Sequence, residues 1–497
     1  MEVKDLKPAI VWQIFDQITK VPRPSGKLEK IREWLVNFAK EHNLEYKVDP
    51  TGNVAMFRPA APGFENVPTT ILQGHMDMVA EKGAGSKHNF DTDPIETIVE
   101  GEWVRANNTT LGADDGMGLA IALAALTDPD LKCGRLEALA TVDEETGLTG
   151  ASEIKADMLD GKYLLNLDSE DDGIITIGCA GGVVTIAKFD LDMDMAPRDR
   201  QGALDLKGKP YNYFKIVIEK LHGGHSGTDI NVGYACSTRL IARLLWRIGQ
   251  EMEYALASID AGNLHNALAH AATAIVGVKD ADKEKFAVVL NQFKADVENE
   301  YKHTEKNMEI TCESTYAPER VIDDKLAKRL VAAVFAAPHG VASMSLEVEG
   351  LVETSTNLAS VKMHEDYIQI EQFSRSDVDS RKDEIAGRIE ALYRLAGAKE
   401  VVSEGSYRGW APNAESHLLK MSVEQWEGLY GVKPKVEAIH AGLECGLFLN
   451  ANPNLDMISY GPTLKDVHSP VERCHIPAVQ KGWDFTVAML NTIAKEG

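Results

Sequence analysis

Cysteine is scarce in this chain: Cys133, Cys179, Cys236, Cys312, Cys445 and Cys474 stand far apart among 497 residues and form no Cys-x-x-Cys pair. That spacing excludes a disulfide framework and a thiolate zinc site. Long apolar runs are also missing, and no stretch approaches the ~20 residues that span a bilayer. The sequence opens on charged residues with no basic segment leading into an apolar one, so the expected compartment is the cytoplasm. Basic residues are outnumbered 52 to 76, giving a formal charge of −24, and no basic run offsets it locally. A field of that sign repels nucleic acid and anionic membranes, so neither is an expected partner. Most of the acidity reads as solvated surface, which leaves a handful of carboxylates as candidates for chemistry.

A chain of this length is too long for one ordinary core, so two or more domains are expected. Residues 6–20 and 27–41 read as helices; in the second, Leu28, Ile31, Leu35 and Phe38 recur at three- and four-residue spacing. Strands are expected at 44–48, 53–58, 69–73, 136–142 and 163–167, and a small-residue helix at 116–126. Strands alternating with helices predict an α/β sheet, whose ligands gather beyond the carboxyl ends of its strands. From about 184 the pattern changes to α+β, with a further strand, helix, strand, helix, strand run (273–278, 281–297, 308–313, 323–336, 344–348) that reads as an extra inserted unit. After about 411 the helix and strand alternation returns. The expected division is a catalytic domain at 1–183 and 411–497, interrupted by a lid at 184–410 that carries the extra unit near 270–350.

Metal-type side chains recur at the ends of the expected catalytic strands. They are Gly74-His75-Met76-Asp77, Ala113-Asp114-Asp115-Gly116, Asp143-Glu144-Glu145-Thr146-Gly147, Asn166-Leu167-Asp168 and Asp466-Val467-His468-Ser469-Pro470. Each alone is weak, because a paired carboxylate is usually a solvated turn and a lone histidine a satisfied imidazole. Together they carry a signal, because such loops converge on one sheet edge. Two divalent ions ~3.5–4 Å apart activate a water and polarise a carbonyl, and holding them needs a bridging carboxylate, further carboxylates and neutral imidazoles. Oxygen and nitrogen donors without thiolate suit zinc, with cobalt or manganese as alternatives.

These five segments resemble the co-catalytic zinc peptidase family that includes carnosinases, peptidase T and succinyl-diaminopimelate desuccinylase. The run Asp143-Glu144-Glu145-Thr146-Gly147-Leu148-Thr149-Gly150-Ala151 and the His468-Ser469-Pro470-Val471-Glu472 ending are most similar to its aminoacyl-histidine (Xaa-His) dipeptidases. The resemblance implies a discontinuous α/β catalytic domain with a mixed sheet flanked by helices, an enlarged ferredoxin-like lid, and two divalent ions per chain. It implies that Asp114 bridges both ions, His75 and Asp168 bind one, and Glu145 and His468 the other. It further implies Glu144 as general base, Asp77 as the group orienting the His75 ring, and a cis peptide at Asp114-Asp115.

In the expected lid, Leu221-His222-Gly223-Gly224-His225-Ser226-Gly227 follows a strand and precedes a helix; the resemblance makes His225 the oxyanion stabiliser, while His222 reads as structural. Thr356-Asn357-Leu358 and Phe373-Ser374-Arg375 are similar to the family segments whose Asn and Arg hold the substrate's terminal carboxylate, a group that a guanidinium fork matches. Glu444, in the Gly-rich segment after Ile439, is expected to meet the substrate's free amino group. The implied reaction is hydrolysis of dipeptides, Xaa-His and carnosine-like substrates among them. An N-acyl amino-acid deacylase or small-peptide carboxypeptidase is the alternative within the same chemistry, and a silent metal-binding scaffold the alternative outside it. In dimeric members the lid histidine reaches the neighbouring subunit, so either a homodimer through the lid or an inserted unit acting in its place is compatible with the sequence.

Overall fold

The computed structural model describes residues 2–196, 203–204 and 210–496. It divides into two compact units, one of Met1–Cys179, Trp410–Ile439 and Leu443–Gly497, the other of Ala180–Gly409 with His440–Gly442. Among the described residues no helix is long and apolar enough to cross a membrane.

The first unit is built on a mixed eight-stranded sheet. Its order is Glu45–Val48, Val54–Arg58, Leu136–Thr141, Thr70–His75, Tyr163–Asn166, Asp456–Ser459, Ile174–Cys179 and Lys435–Ile439. Leu136–Thr141, Thr70–His75 and Tyr163–Asn166 are buried at every position, the pattern of parallel strands covered on both faces. The helix Ala113–Thr127 is almost wholly buried and rich in alanine and glycine, which lets the helix Ala9–Ile18 and the terminal helix Ile476–Ile493 pack close to it. Registers pair His75 with Thr141 and Gln73 with Asn166, so three parallel strands end together. The loops they feed carry Asp77, Glu144, Glu145 and Asp168.

A small antiparallel sheet missed by the sequence reading runs Leu464–Lys465, Arg473–His475, Trp103–Ala106, Thr97–Glu100. Its strands have two to four residues, too few to show a period. The loop between the first two of them holds His468.

One buried carboxyl has no evident part in chemistry. Glu137 is fully buried within Leu136–Thr141; one oxygen accepts from the Asp160 N–H at 3.2 Å and Oε1 has no partner. Burial pushes this carboxyl up to about 8. A folded-state value above the unfolded one means the folded chain binds the extra proton, so stability is fully present below about pH 4.5 and is lost as pH rises through about 8. Glu137→Gln keeps the acceptor and removes the charge. It is expected to stabilise the protein at pH 9 by about 2–4 kcal/mol and by far less at pH 5. Thermal melts at the two pH values check this, and an equal gain at both would mean that buried charge is not the cause.

The second unit is an antiparallel ten-stranded sheet with helices Ser237–Glu251, Lys283–Glu300, Asp324–Ala336 and Asp379–Leu395. Strands run Ala203–Leu204, Pro210–Glu219, Ala272–Lys279, Tyr254–Gly262, Val352–Met363, Tyr367–Ser376, Gly181–Asp190, Glu400–Tyr407. Glu309–Thr315 adds to Pro210–Glu219, and Gly340–Met344 to Val352–Met363. The strands of the extra unit expected near 270–350 join this same sheet. Periodicity reveals a strand but not its neighbour, and an inserted strand satisfies its backbone by extending an existing edge. The last strand of that run lies at Gly340–Met344 rather than 344–348. Among the described residues, the two halves of the sheet pair at Ala261 with Val361 and Gly262 with Ser360. A Cβ on Gly262 would stand 1.7 Å from the Ala359 carbonyl oxygen, so the junction requires glycine.

Candidate active site

All five expected ligands converge in the first unit. Nitrogen and carboxylate oxygen atoms of His75, Asp114 and Asp168, of His75, Glu144 and Glu145, and of Asp114, Glu145 and His468 each lie within 4.8 Å of one another. Asp114 Oδ1 is 3.1 Å from His75 Nε2 and its Oδ2 is 3.1 Å from His468 Nε2. One carboxylate thus faces two imidazoles, one per oxygen. Asp168 Oδ1 is 3.5 Å from His75 Nε2, and Glu145 Oε2 is 3.0 Å from His468 Nε2. The Asp114-Asp115 peptide is cis, as the resemblance implied.

Asp77 does more than face a ring. Its Oδ1 lies 3.3 Å from His75 Nδ1, and the carboxylate also accepts from Ser25 Oγ (2.8 Å) and from the backbone N–H groups of Glu144 (3.1 Å) and Glu145 (3.3 Å). Burial alone would raise its carboxyl, but the bonds from His75, Ser25 and Glu144 hold it below the ordinary range. One carboxylate therefore stands beside an imidazole and holds the backbone of the two glutamates that follow the neighbouring strand.

The donor set fits a divalent cation. Burial and the neighbouring carboxylates push Asp168 up to about 7, and burial together with Asp168, Glu444 and Glu145 holds Glu144 well above the carboxylate range. Four acidic groups crowd two imidazoles, an arrangement that asks for added positive charge. Glu145 Oε1 is buried with no partner in the chain.

Glu444 lies in the interior. It is 1% exposed, and its Oε2 accepts from Gln73 Nε2 at 2.6 Å and Thr141 Oγ1 at 2.9 Å, while Asn166 Nδ2 donates to Gln73 Oε1 at 2.6 Å. It opens the helix Glu444–Ala451 with its side chain in the interior, braced on the strand ends through Oε2, while its Oε1 has no hydrogen-bond partner. Asp115 accepts from the Gly118 N–H at 3.0 Å at the start of its helix, and a Cβ on Gly74 would stand 2.1 Å from its Oδ2.

The second unit holds another constellation. His225 Nδ1 accepts from the backbone N–H groups of Gly227 (3.2 Å) and Thr228 (3.1 Å), which places the ring proton on Nε2. Burial, and after it Arg375, lowers the His225 pKa, so the ring is neutral. Arg375, 4% exposed, donates to Tyr407 Oη at 3.2 Å and Ser226 Oγ at 3.4 Å, while its Nε has no partner. Its Nη2 lies 3.4 Å from His225 Nε2. Both are donors, so the pair is suited to a shared anionic acceptor.

Asn357 differs from expectation. Its Nδ2 is spent on the His265 (3.0 Å) and Ala267 (2.8 Å) carbonyls, and the oxygen left over is an acceptor, which does not suit a carboxylate. His222 is structural, stacked on Tyr234 at 4.0 Å with its N–H on Glu305. His440 was not singled out; its Nε2 is 2.7 Å from Ser355 Oγ, and burial followed by Arg375 lowers it to about 3.

The pattern described as Peptidase family M20/M25/M40 matches residues 71–492. The chain is 36% identical over 492 residues to the cytosol non-specific dipeptidase of Escherichia coli (strain K12), covering 99% of each. It superposes with a TM-score of 0.90 and 38% identity on the crystal structure of aminoacylhistidine dipeptidase from Vibrio alginolyticus, covering 99% of this chain and 98% of that one. A tripeptidase from Staphylococcus aureus, at 15% identity and a TM-score of 0.55, shares the fold. With a family match running from the strand that ends at His75 into the terminal helix, and with one relative alike over nearly its whole length, this chain belongs to the M20/M25/M40 peptidase family.

Proposed function

We propose that this chain is a metal-dependent dipeptidase that hydrolyses the peptide bond of dipeptides, Xaa-His dipeptides among them. The observation that carries the reading is the Asp114 carboxylate set between His75 and His468, with Glu144 in the same cluster. Two of its relatives are both named dipeptidases, one non-specific and the other aminoacylhistidine.

His75 and Asp168 would hold one ion, Glu145 and His468 the other, and Asp114 both. Divalent ions bound there, zinc being best suited and cobalt or manganese alternatives, supply Lewis-acid activation of a water and of the scissile carbonyl. Glu144 takes the proton of the attacking water and delivers it to the leaving amine nitrogen. Asp77 keeps Glu144 in place through its backbone N–H. His225 donates its Nε2 proton to the oxyanion, and the Arg375 fork binds the substrate's carboxylate. The expected setting is the cytoplasm.

The test is amino-acid release from a panel of dipeptides, tripeptides and N-acetyl dipeptides by zinc-loaded protein. Free-amino dipeptides are expected to be cleaved, those ending in histidine included, with tripeptides and acetylated substrates at least tenfold slower (about 1.4 kcal/mol). Faster release from acetylated substrates would move the protein to an N-acyl amino-acid deacylase.

A further inference from the structure

Glu472 and Arg23 are buried charges that hold backbone rather than substrate. Glu472 is 2% exposed, and its carboxylate accepts from four consecutive N–H groups: Leu111 at 2.6 Å and Gly112 at 3.0 Å on Oε2, Ala113 at 2.8 Å and Asp114 at 3.4 Å on Oε1. Arg23, also 2% exposed, donates through Nη1 to the carbonyls of Met76 (3.0 Å) and Asp77 (2.6 Å), and through Nη2 to that of Gly112. The Gly112 residue is therefore held from both sides, its N–H by Glu472 and its carbonyl by Arg23. Gly112 and Gly116 leave the room this needs, since a Cβ on either would stand 2.7 or 2.5 Å from Arg23 Nη2.

The connections join three loops. Glu472 lies four residues beyond His468 and grips the segment that presents Asp114. Arg23 ties that segment to the carbonyls directly after His75. Four consecutive N–H groups need an acceptor here, and a carboxylate meets them with two oxygens at the desolvation cost of a charge. What the charge supplies is a fixed distance between His75, Asp114 and His468.

We propose that Glu472, with Arg23 as its counterpart, is a positioning residue that sets the separation of His75, Asp114 and His468 and thereby the affinity for the second cation. This rests on the ligand assignment proposed above. Groups that orient ligands typically change metal affinity by about 10- to 100-fold when altered. In Glu472→Gln one oxygen is replaced by an NH2 group that faces N–H donors, so half of the grip is lost at nearly constant volume.

The experiment measures metal content and chelator competition on the full-length holoprotein, the absorption spectrum of its cobalt form, and the melting temperature of the metal-free protein. Wild type is expected to hold about two ions. Glu472→Gln is expected to keep one near wild-type affinity, to release the other at least tenfold more readily, and to show an altered cobalt spectrum. Arg23→Lys, which keeps the charge but not the fork, reports the same quantities if the glutamine variant does not fold. A variant with a lowered metal-free melting temperature but wild-type ion affinity and spectrum would show a merely structural role and overturn the proposal. If wild type itself binds no ions, the ligand assignment fails first and takes this inference with it.

Discussion

Glu144→Gln is expected to retain its metal and lose turnover by about 10²- to 10⁴-fold, the range of a removed general base. Glutamine has the same shape and leaves the Asp77 bond to the backbone N–H of residue 144 in place, so the strand end and the ligands should not move. The loss should appear in kcat with KM little changed, because the proton passes only during the reaction. Single-turnover rates with metal analysis on the same sample check it. A variant near the wild-type rate would remove Glu144 from the mechanism, whereas a variant that had lost metal would place it among the ligands.

Arg375 gives the second large effect, with an opposite sign in stability. Its guanidinium is buried beside His225, Ser226 and Tyr407, and no carboxylate of the chain lies within ion-pair distance of it among the described residues. Burial already lowers its pKa, with Tyr407 working the other way. Such a charge costs the resting protein and is repaid when a carboxylate arrives. Arg375→Met is expected to raise KM for dipeptides at least 30-fold, from about 2 kcal/mol of charged hydrogen bonding. The same variant should melt at a higher temperature than wild type, because a buried unpaired charge is replaced by an apolar side chain. Arg375→Lys should not restore binding, since an ammonium lacks the fork. Steady-state kinetics and melting curves on the two variants check this; a KM change confined to substrates other than those with a free C-terminal carboxylate would reassign the residue.

The expected ligands were legible because each sits in a short segment at a strand end, a helix start or a loop, where side chains of metal-binding type stand out from the apolar pattern. His75, Asp114, Glu145, Asp168 and His468 come together from five separate stretches without one displaced. What stayed hidden depended on partners distant in sequence. Glu444 looked like a loop carboxylate entering a helix; only the packing of that helix shows its side chain turned inward to Gln73 and Thr141. Asn357 has the right residue type for anion binding, but its donors go to carbonyls some ninety residues away. Arg23 and Glu472 act through backbone, which leaves no trace in residue spacing, although Glu472 closes a motif that did stand out. In the second unit the strands were visible and their partners in the sheet were not.

The shared ending of Thr70–His75, Leu136–Thr141 and Tyr163–Asn166 has a consequence for how errors are detected. A slip of one residue turns every side chain of a strand to the opposite face, and a slip of two carries a donor ~7 Å along the sheet. That is farther than the 4.8 Å within which the donor atoms of each three-residue group lie. Only the correctly paired sheet can therefore hold the cation tightly, and binding draws the population toward that pairing by mass action. Catalytic competence and correct assembly become one test, so an ion retained by this chain certifies the alignment of three strands.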